Sequence, residues 1–218
     1  MAAARAHPVD GPENGAEPAV FRQAVAALES LRPRSAVRFE PLPAPRRLAP
    51  HAHALGASVE ADGQELADGR FVLLHDPHGQ DAWQGTFRVV TLARAELEPE
   101  IAADPLLPEV SWSWLTGALE ARGVSVRQPG GTVTRASSHY FGQLATRAPE
   151  AEIELRVSWT PSSALGFPDA AAHLAAWCDL LCQCAGLPPE PAAGGEGHEP
   201  PGGPGVVPLP QRRGPYPV

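Results

Sequence analysis

Two histidines and two aspartates, His75, Asp76, His78 and Asp81, crowd one short run of the sequence. Imidazole nitrogens and carboxylate oxygens are ligands that zinc and other divalent ions accept, so metal chemistry is the first possibility to weigh. The spacing matches no established metal motif. Asp76-Pro77 and His78-Gly79 also compose an ordinary turn between strands. A loop with no metal and no cofactor is the expectation here, and a metal-dependent enzyme built on this turn is the alternative.

The thiols are Cys178, Cys182 and Cys184, all inside one predicted helix. Cys178 and Cys182 share an apolar face with Leu174 and Trp177, where a free cysteine behaves as a small hydrophobe. Cys184 is expected nearer the opposite side. Nothing in the helix places a cation where it would lower a thiol pKa, and a regular helix does not offer disulfide geometry. Structural packing is the reading.

Ser111-Trp112-Ser113-Trp114 brings two indoles together beside an acidic stretch that holds Glu98, Glu100 and Asp104. Helical spacing puts Trp114 on the apolar stripe and Trp112 at its edge. Aromatic side chains dominate the energetic centres of protein interfaces. Trp112, Glu98, Glu100 and Asp104 are therefore the candidate surface for a protein partner. Nucleophilic catalysis finds no support: there is no Gly-x-Ser-x-Gly elbow, and Ser137, Ser138 and His139 are mere sequence neighbours. A phosphate-binding loop of the Walker type needs a lysine, and the chain has none; all 17 basic residues are arginine.

The elements that must position these residues follow from periodicity. Val20, Phe21, Ala24, Val25, Leu28 and Leu31 keep helical spacing until Pro33. Val37–Glu40, Leu55–Val59, Arg70–His75 and Gly85–Arg94 read as strands, with turn signals at Asp62-Gly63 and Asp68-Gly69. A helix is expected from about Glu109 to Arg122, with Val110, Trp114, Ala118 and Ala121 along one side of its apolar stripe and Leu115 and Leu119 widening it. Val124–Arg127 and Thr132–Ser137 are expected as a hairpin about Pro129-Gly130-Gly131. Ile153, Leu155, Val157 and Trp159 alternate with Glu152, Glu154, Arg156 and Ser158, the pattern of a half-buried antiparallel strand. A last helix begins near Asp169 and stops at Gly186-Leu187-Pro188. The expected fold is α+β: a mostly antiparallel sheet of five to six strands, helices packed on one face, in the order α-βββ(β)-α-ββ-α.

Composition frames this domain. Residues 1–17 lack periodicity and read as a disordered arm, and residues 18–187 as a single domain. Residues 188–218 hold 10 prolines and 7 glycines and read as a disordered tail. The net charge of −8 argues against direct nucleic-acid binding, which depends on cationic neutralisation of phosphate. The absence of an apolar run of signal-peptide or spanning length, with no disulfide framework, leads to a cytoplasmic expectation without membrane contact.

Several stretches together resemble one family. They include Arg47-Leu48-Ala49-Pro50, Phe71-Val72-Leu73-Leu74-His75-Asp76-Pro77, Gly85-Thr86-Phe87-Arg88, Asp104-Pro105-Leu106-Leu107 and Trp112-Ser113-Trp114-Leu115. Gly131-Thr132-Val133-Thr134, Ser158-Trp159-Thr160-Pro161 and Ala185-Gly186-Leu187-Pro188 belong to the same set. The family is the actinobacterial one catalogued as domain of unknown function 3000, and the resemblance covers roughly residues 19–188. It transfers no functional residue; the family's gene company, beside a ribonuclease-D-type gene, implies at most an RNA-processing association. The element order is also similar to that of the type III secretion chaperone-like fold and small proteins of the YbjN type, whose members mostly bind proteins. Such an analogy does not fix function. The functional expectation is a non-enzymatic adaptor or chaperone-like domain with a protein partner.

Overall fold

The computed structural model describes residues 17–162 and 167–187. The arm expected at 1–17, apart from Glu17, and the tail expected at 188–218 lie outside the described residues. Six strands form one sheet, β1 (Val37–Leu42), β2 (His51–Ala61), β3 (Gln64–Gln80), β4 (Gly85–Leu97), β5 (Val126–Ser138) and β6 (Glu150–Pro161). Every neighbouring pair is antiparallel and the spatial order is β1-β2-β3-β4-β6-β5. The helices are α1 (Ala19–Ser30), the short α2 (Pro99–Ala102), α3 (Leu107–Ala121) and α4 (Ala170–Cys184). This is the α+β architecture and element order that the periodicities imply.

Strand alternation decides which face is covered. Phe71 and Leu73 of β3, Phe87 and Val89 of β4, and Ile153, Leu155, Val157 and Trp159 of β6 all point to one side and are buried. Burial of such side chains contributes roughly 1.5–3 kcal/mol each, which makes this layer the main source of stability. α4 lies against it on β3 and β4, flanked by α1 and α3. Its side chains are buried almost all round, so Cys184, on the side away from Cys178 and Cys182, is buried as well. α4 starts where expected: the Asp169 carboxylate accepts from the Ala172 amide at 3.0 Å.

Three local expectations are corrected. Asp68-Gly69 is not a turn; it lies inside β3, where the chain continues straight into the core strand. Pro129-Gly130-Gly131 does not join a hairpin either. Residues 126–138 form one edge strand, β5, and one extra residue makes a bulge between Arg127 and Gly130 against β6. Gln128 absorbs the bulge at φ 50°. Finally, α3 is turned about its axis relative to the expected stripe. Leu115, Ala118 and Leu119 face the core as expected, joined by Leu107 and Ser111, while Val110 and Ala121 are exposed. Ser111 can take a core position because its hydroxyl donates to the Leu107 carbonyl at 2.6 Å, and hydropathy cannot register that.

Among the described residues, no helix packs on the opposite face of the sheet. Ala54, Val72 and Leu74 form a small second cluster there, closed at one end by Leu42, Ala49, Ala52 and Trp83. The proline-rich stretch after β1 thus folds partly over this face.

Candidate functional site

The four side chains of the His75–Asp81 run diverge. His75 points into the core, 3% exposed, between Phe87 (ring centroids 4.2 Å apart) and Phe21 (5.8 Å), with His51 at 6.0 Å. Its Nδ1–H donates to the Thr86 carbonyl at 3.0 Å, so Nε2 carries the lone pair. Burial holds its pKa below the usual histidine value. Asp76, the next residue, faces the other side of the sheet. Its carboxylate accepts from the His78 amide (3.0 Å) and from Gln80 Nε2 (3.2 Å), and the hydrogen bond from His78 is the main reason its pKa is lowered. His78 and Asp81 are exposed. β3 runs through this segment with a register shift, and the turn itself falls at residues 81–84. Among the described residues no three metal-capable side chains converge on one point.

The partner-surface candidates are distributed differently. Trp112 is half-buried and packs on the main core, as does Trp114. Glu98, Glu100 and Asp104 are exposed around α2. Asp104 also builds the start of α3, accepting from the Leu106 amide at 2.8 Å. What the sequence reading missed lies between and beside these carboxylates. Ile101, Leu106 and Val110 are all exposed, Leu106 by 62%. Leu106 and Val110, four residues apart, share one face.

The sheet brings a second group to the same end. Leu97, the last residue of β4, pairs with Ala151, and Ala151 pairs with Ser137 near the end of β5. The β5–β6 loop therefore emerges beside α2. Phe141 on that loop is 81% exposed and Leu144 is exposed as well. The loop is held by Tyr140, whose hydroxyl donates to Glu150 at 2.7 Å, and by Arg147 stacked over the Tyr140 ring at 5.2 Å. That hydrogen bond to a carboxylate raises the Tyr140 pKa. Arg135 on β5 ties the two groups together, donating to the carbonyls of Ala102 (3.1 Å) and Asp104 (2.7 Å). Of the eight large hydrophobic residues exposed among those described, five sit at this end, so it is the most apolar exposed region there.

The sequence profile of the family described as "Protein of unknown function (DUF3000)" matches residues 17–194. The chain belongs to this family. The match spans the described sheet and all four described helices. No curated protein and no solved structure matches the chain. No described helix of this DUF3000 domain is long and apolar enough to cross a membrane.

Proposed function

We propose that this DUF3000 domain is a cytosolic adaptor or chaperone-like module that binds a protein partner through the α2–α3 end of its sheet. One observation carries the reading: Ile101, Leu106, Val110, Phe141 and Leu144 are all exposed on α2, α3 and the β5–β6 loop at this end, where Glu98, Glu100, Asp104 and Glu109 are exposed as well. Exposed apolar patches with a polar rim are characteristic of interaction sites. The carboxylates favour a partner surface of basic and apolar residues, since charge complementarity speeds and orients encounter. Half-buried Trp112 contributes packing beneath the patch edge, and the free side chains above it are the anchors.

The test is capture from cells of the source organism with tagged full-length chain, followed by mass spectrometry. A near-stoichiometric partner that is lost with Leu106→Asp and with Phe141→Ser, and weakened by Trp112→Ala, is the expected result. A partner retained at full yield by both Leu106→Asp and Phe141→Ser overturns this surface. A clean capture with nothing bound overturns a stable complex.

A further inference from the structure

The face of the sheet on which no described helix packs holds a hollow of about 520 Å³ over β3, β4, β6 and β5. Antiparallel register builds it. Val72, Val90 and Ser158 form one row across the three central strands, and Arg70, Leu92 and Arg156 form the next. Val72, Val90 and Leu92 make an apolar floor. Arg70 and Arg156 stand on either side of Leu92, and the strand spacing puts their backbones roughly 10 Å apart. The outer wall is the bulged β5, where Gly130 contributes no side chain, and a Cβ built there meets nothing within 4 Å. Volumes of this order are those of small-molecule sites.

The charge of the hollow is one-sided. Among the described residues its only charged lining groups are Arg70 and Arg156. Arg156 is largely occupied, donating to Glu154 at 2.6 and 3.2 Å. Arg70 makes no hydrogen bond or ion pair with any described residue. The neighbouring hollow, about 620 Å³, behaves oppositely: it holds both signs, and its arginines are paired as Arg38–Glu60 (2.9 Å) and Arg94–Asp68 (3.0 Å).

A further cation stands beside the floor, on the same face of the sheet. Arg88 donates to Ser158 Oγ (2.7 Å), Thr160 Oγ1 (3.0 Å) and the Gln128 carbonyl (3.0 Å), all neutral oxygens. Its charge has no carboxylate partner there. Because Ser158 Oγ accepts from this guanidinium, the serine proton is left to donate, and Ser158 lines the hollow. In a chain of net charge −8 this is a local positive site with an apolar floor.

We propose that this hollow binds a small amphipathic carboxylate, its apolar body on Val72, Val90 and Leu92 and its carboxylate held by Arg70 and the Ser158 hydroxyl. Monovalent charge suits the site, because among the described residues Arg70 is the one lining cation with no hydrogen-bond or ion-pair partner. The site is separate from the partner surface at the α2–α3 end, so either assignment can fail without the other.

The experiment is calorimetric titration of the full chain with decanoate and with naphthalene carboxylate, using decanol as the neutral control, at low and high salt. Both acids should bind saturably, and decanoate at least about tenfold tighter than decanol, the scale of one hydrogen-bonded charge. Raising the salt should narrow that gap. Arg70→Gln should erase the preference for the acid while leaving the melting temperature unchanged, since Arg70 is exposed. Gly130→Leu should fill the hollow and weaken both acids and alcohol. The proposal is overturned if neither acid binds, if decanol matches decanoate, or if Arg70→Gln and Gly130→Leu both bind as the parent does. It is equally overturned if an acidic peptide occupies this face and neither small acid does.

Discussion

The indole N–H of Trp159 donates to Nδ1 of His173 across 3.2 Å, with both residues sealed between the sheet and α4. Indole nitrogen is a donor only, so this contact requires the neutral imidazole with its proton on Nε2. Burial enforces the same state, lowering the His173 pKa from 6.5 to about 4. In the unfolded chain His173 takes up a proton near pH 6.5; in the folded chain it does so only near 4. Between these values the unfolded state binds more protons. Stability from this group is therefore complete above about pH 6.5 and falls as the pH drops toward 4, by about 3 kcal/mol in all. Buried His75, also shifted down, acts in the same direction. Urea melts at pH 7.5 and 5 should show the loss, and His173→Gln, whose amide oxygen can still accept from Trp159, should reduce it. An unchanged pH slope in that variant would remove His173 from the account.

A second expectation concerns the thiols. Desolvation raises the Cys178 pKa well above the usual thiol range and pushes Cys184 up to about 12, so neither supplies thiolate at neutral pH. Cys182 is buried as well. All three should react with a thiol reagent only when the domain unfolds, and the rate should track stability across destabilising variants. Rapid reaction of one thiol in the native protein would contradict the packing of α4.

Glycines on strand and helix should respond in opposite directions to one methyl group. A Cβ at Gly69 would lie 2.4 Å from the Leu92 carbonyl oxygen and 2.7 Å from Trp177 Cζ2. Neither the strand backbone nor a fully buried indole can yield cheaply. Gly69→Ala should cost about 1–3 kcal/mol. Gly117 lies within α3 with open space around it, so Gly117→Ala should stabilise by roughly 0.5–1 kcal/mol. Chemical denaturation of the two variants tests both signs at once.

Gly69 also shows what the sequence does and does not carry. β6 is legible because one side is core and the other water, and Glu152 to Trp159 alternate accordingly. The Asp169 cap and the Gly186 stop of α4 are legible because caps are local chemistry. Gly69 looks like a turn residue, yet its absent side chain makes room for Trp177, a partner over a hundred positions away in sequence. Pro129-Gly130-Gly131 looks like a hairpin turn for a similar reason. Its bulge is stabilised by Arg88 gripping the Gln128 carbonyl, which no window around residue 129 contains. The candidate sites divide the same way. The carboxylates beside Trp112 can be found locally, whereas Phe141 joins them only through strand pairing. Arg70, Leu92 and Arg156 fall in line only once the register of three strands is known.

Arg135 offers a test that separates the architecture of the partner surface from its chemistry. Its guanidinium ties β5 to the carbonyls of Ala102 and Asp104, while the side chain itself is exposed and lies outside the apolar patch. Hydrogen bonds from a charged, solvent-exposed donor contribute little to global stability, so Arg135→Ala should cost under about 1 kcal/mol. Locally the effect should be larger. α2 is a single turn between exposed residues, and releasing its carbonyls should raise amide hydrogen exchange over residues 99–106. If the patch binds as a preformed surface, partner capture should fall in Arg135→Ala although Ile101, Leu106 and Phe141 are all intact, because ordering the segment then falls to the binding step. Arg135→Lys should restore part of it, since an ammonium can reach one carbonyl but not span two. Faster exchange with undiminished capture would mean that the segment binds by folding onto its partner. Unchanged exchange would show that Arg135 does not hold α2 in place.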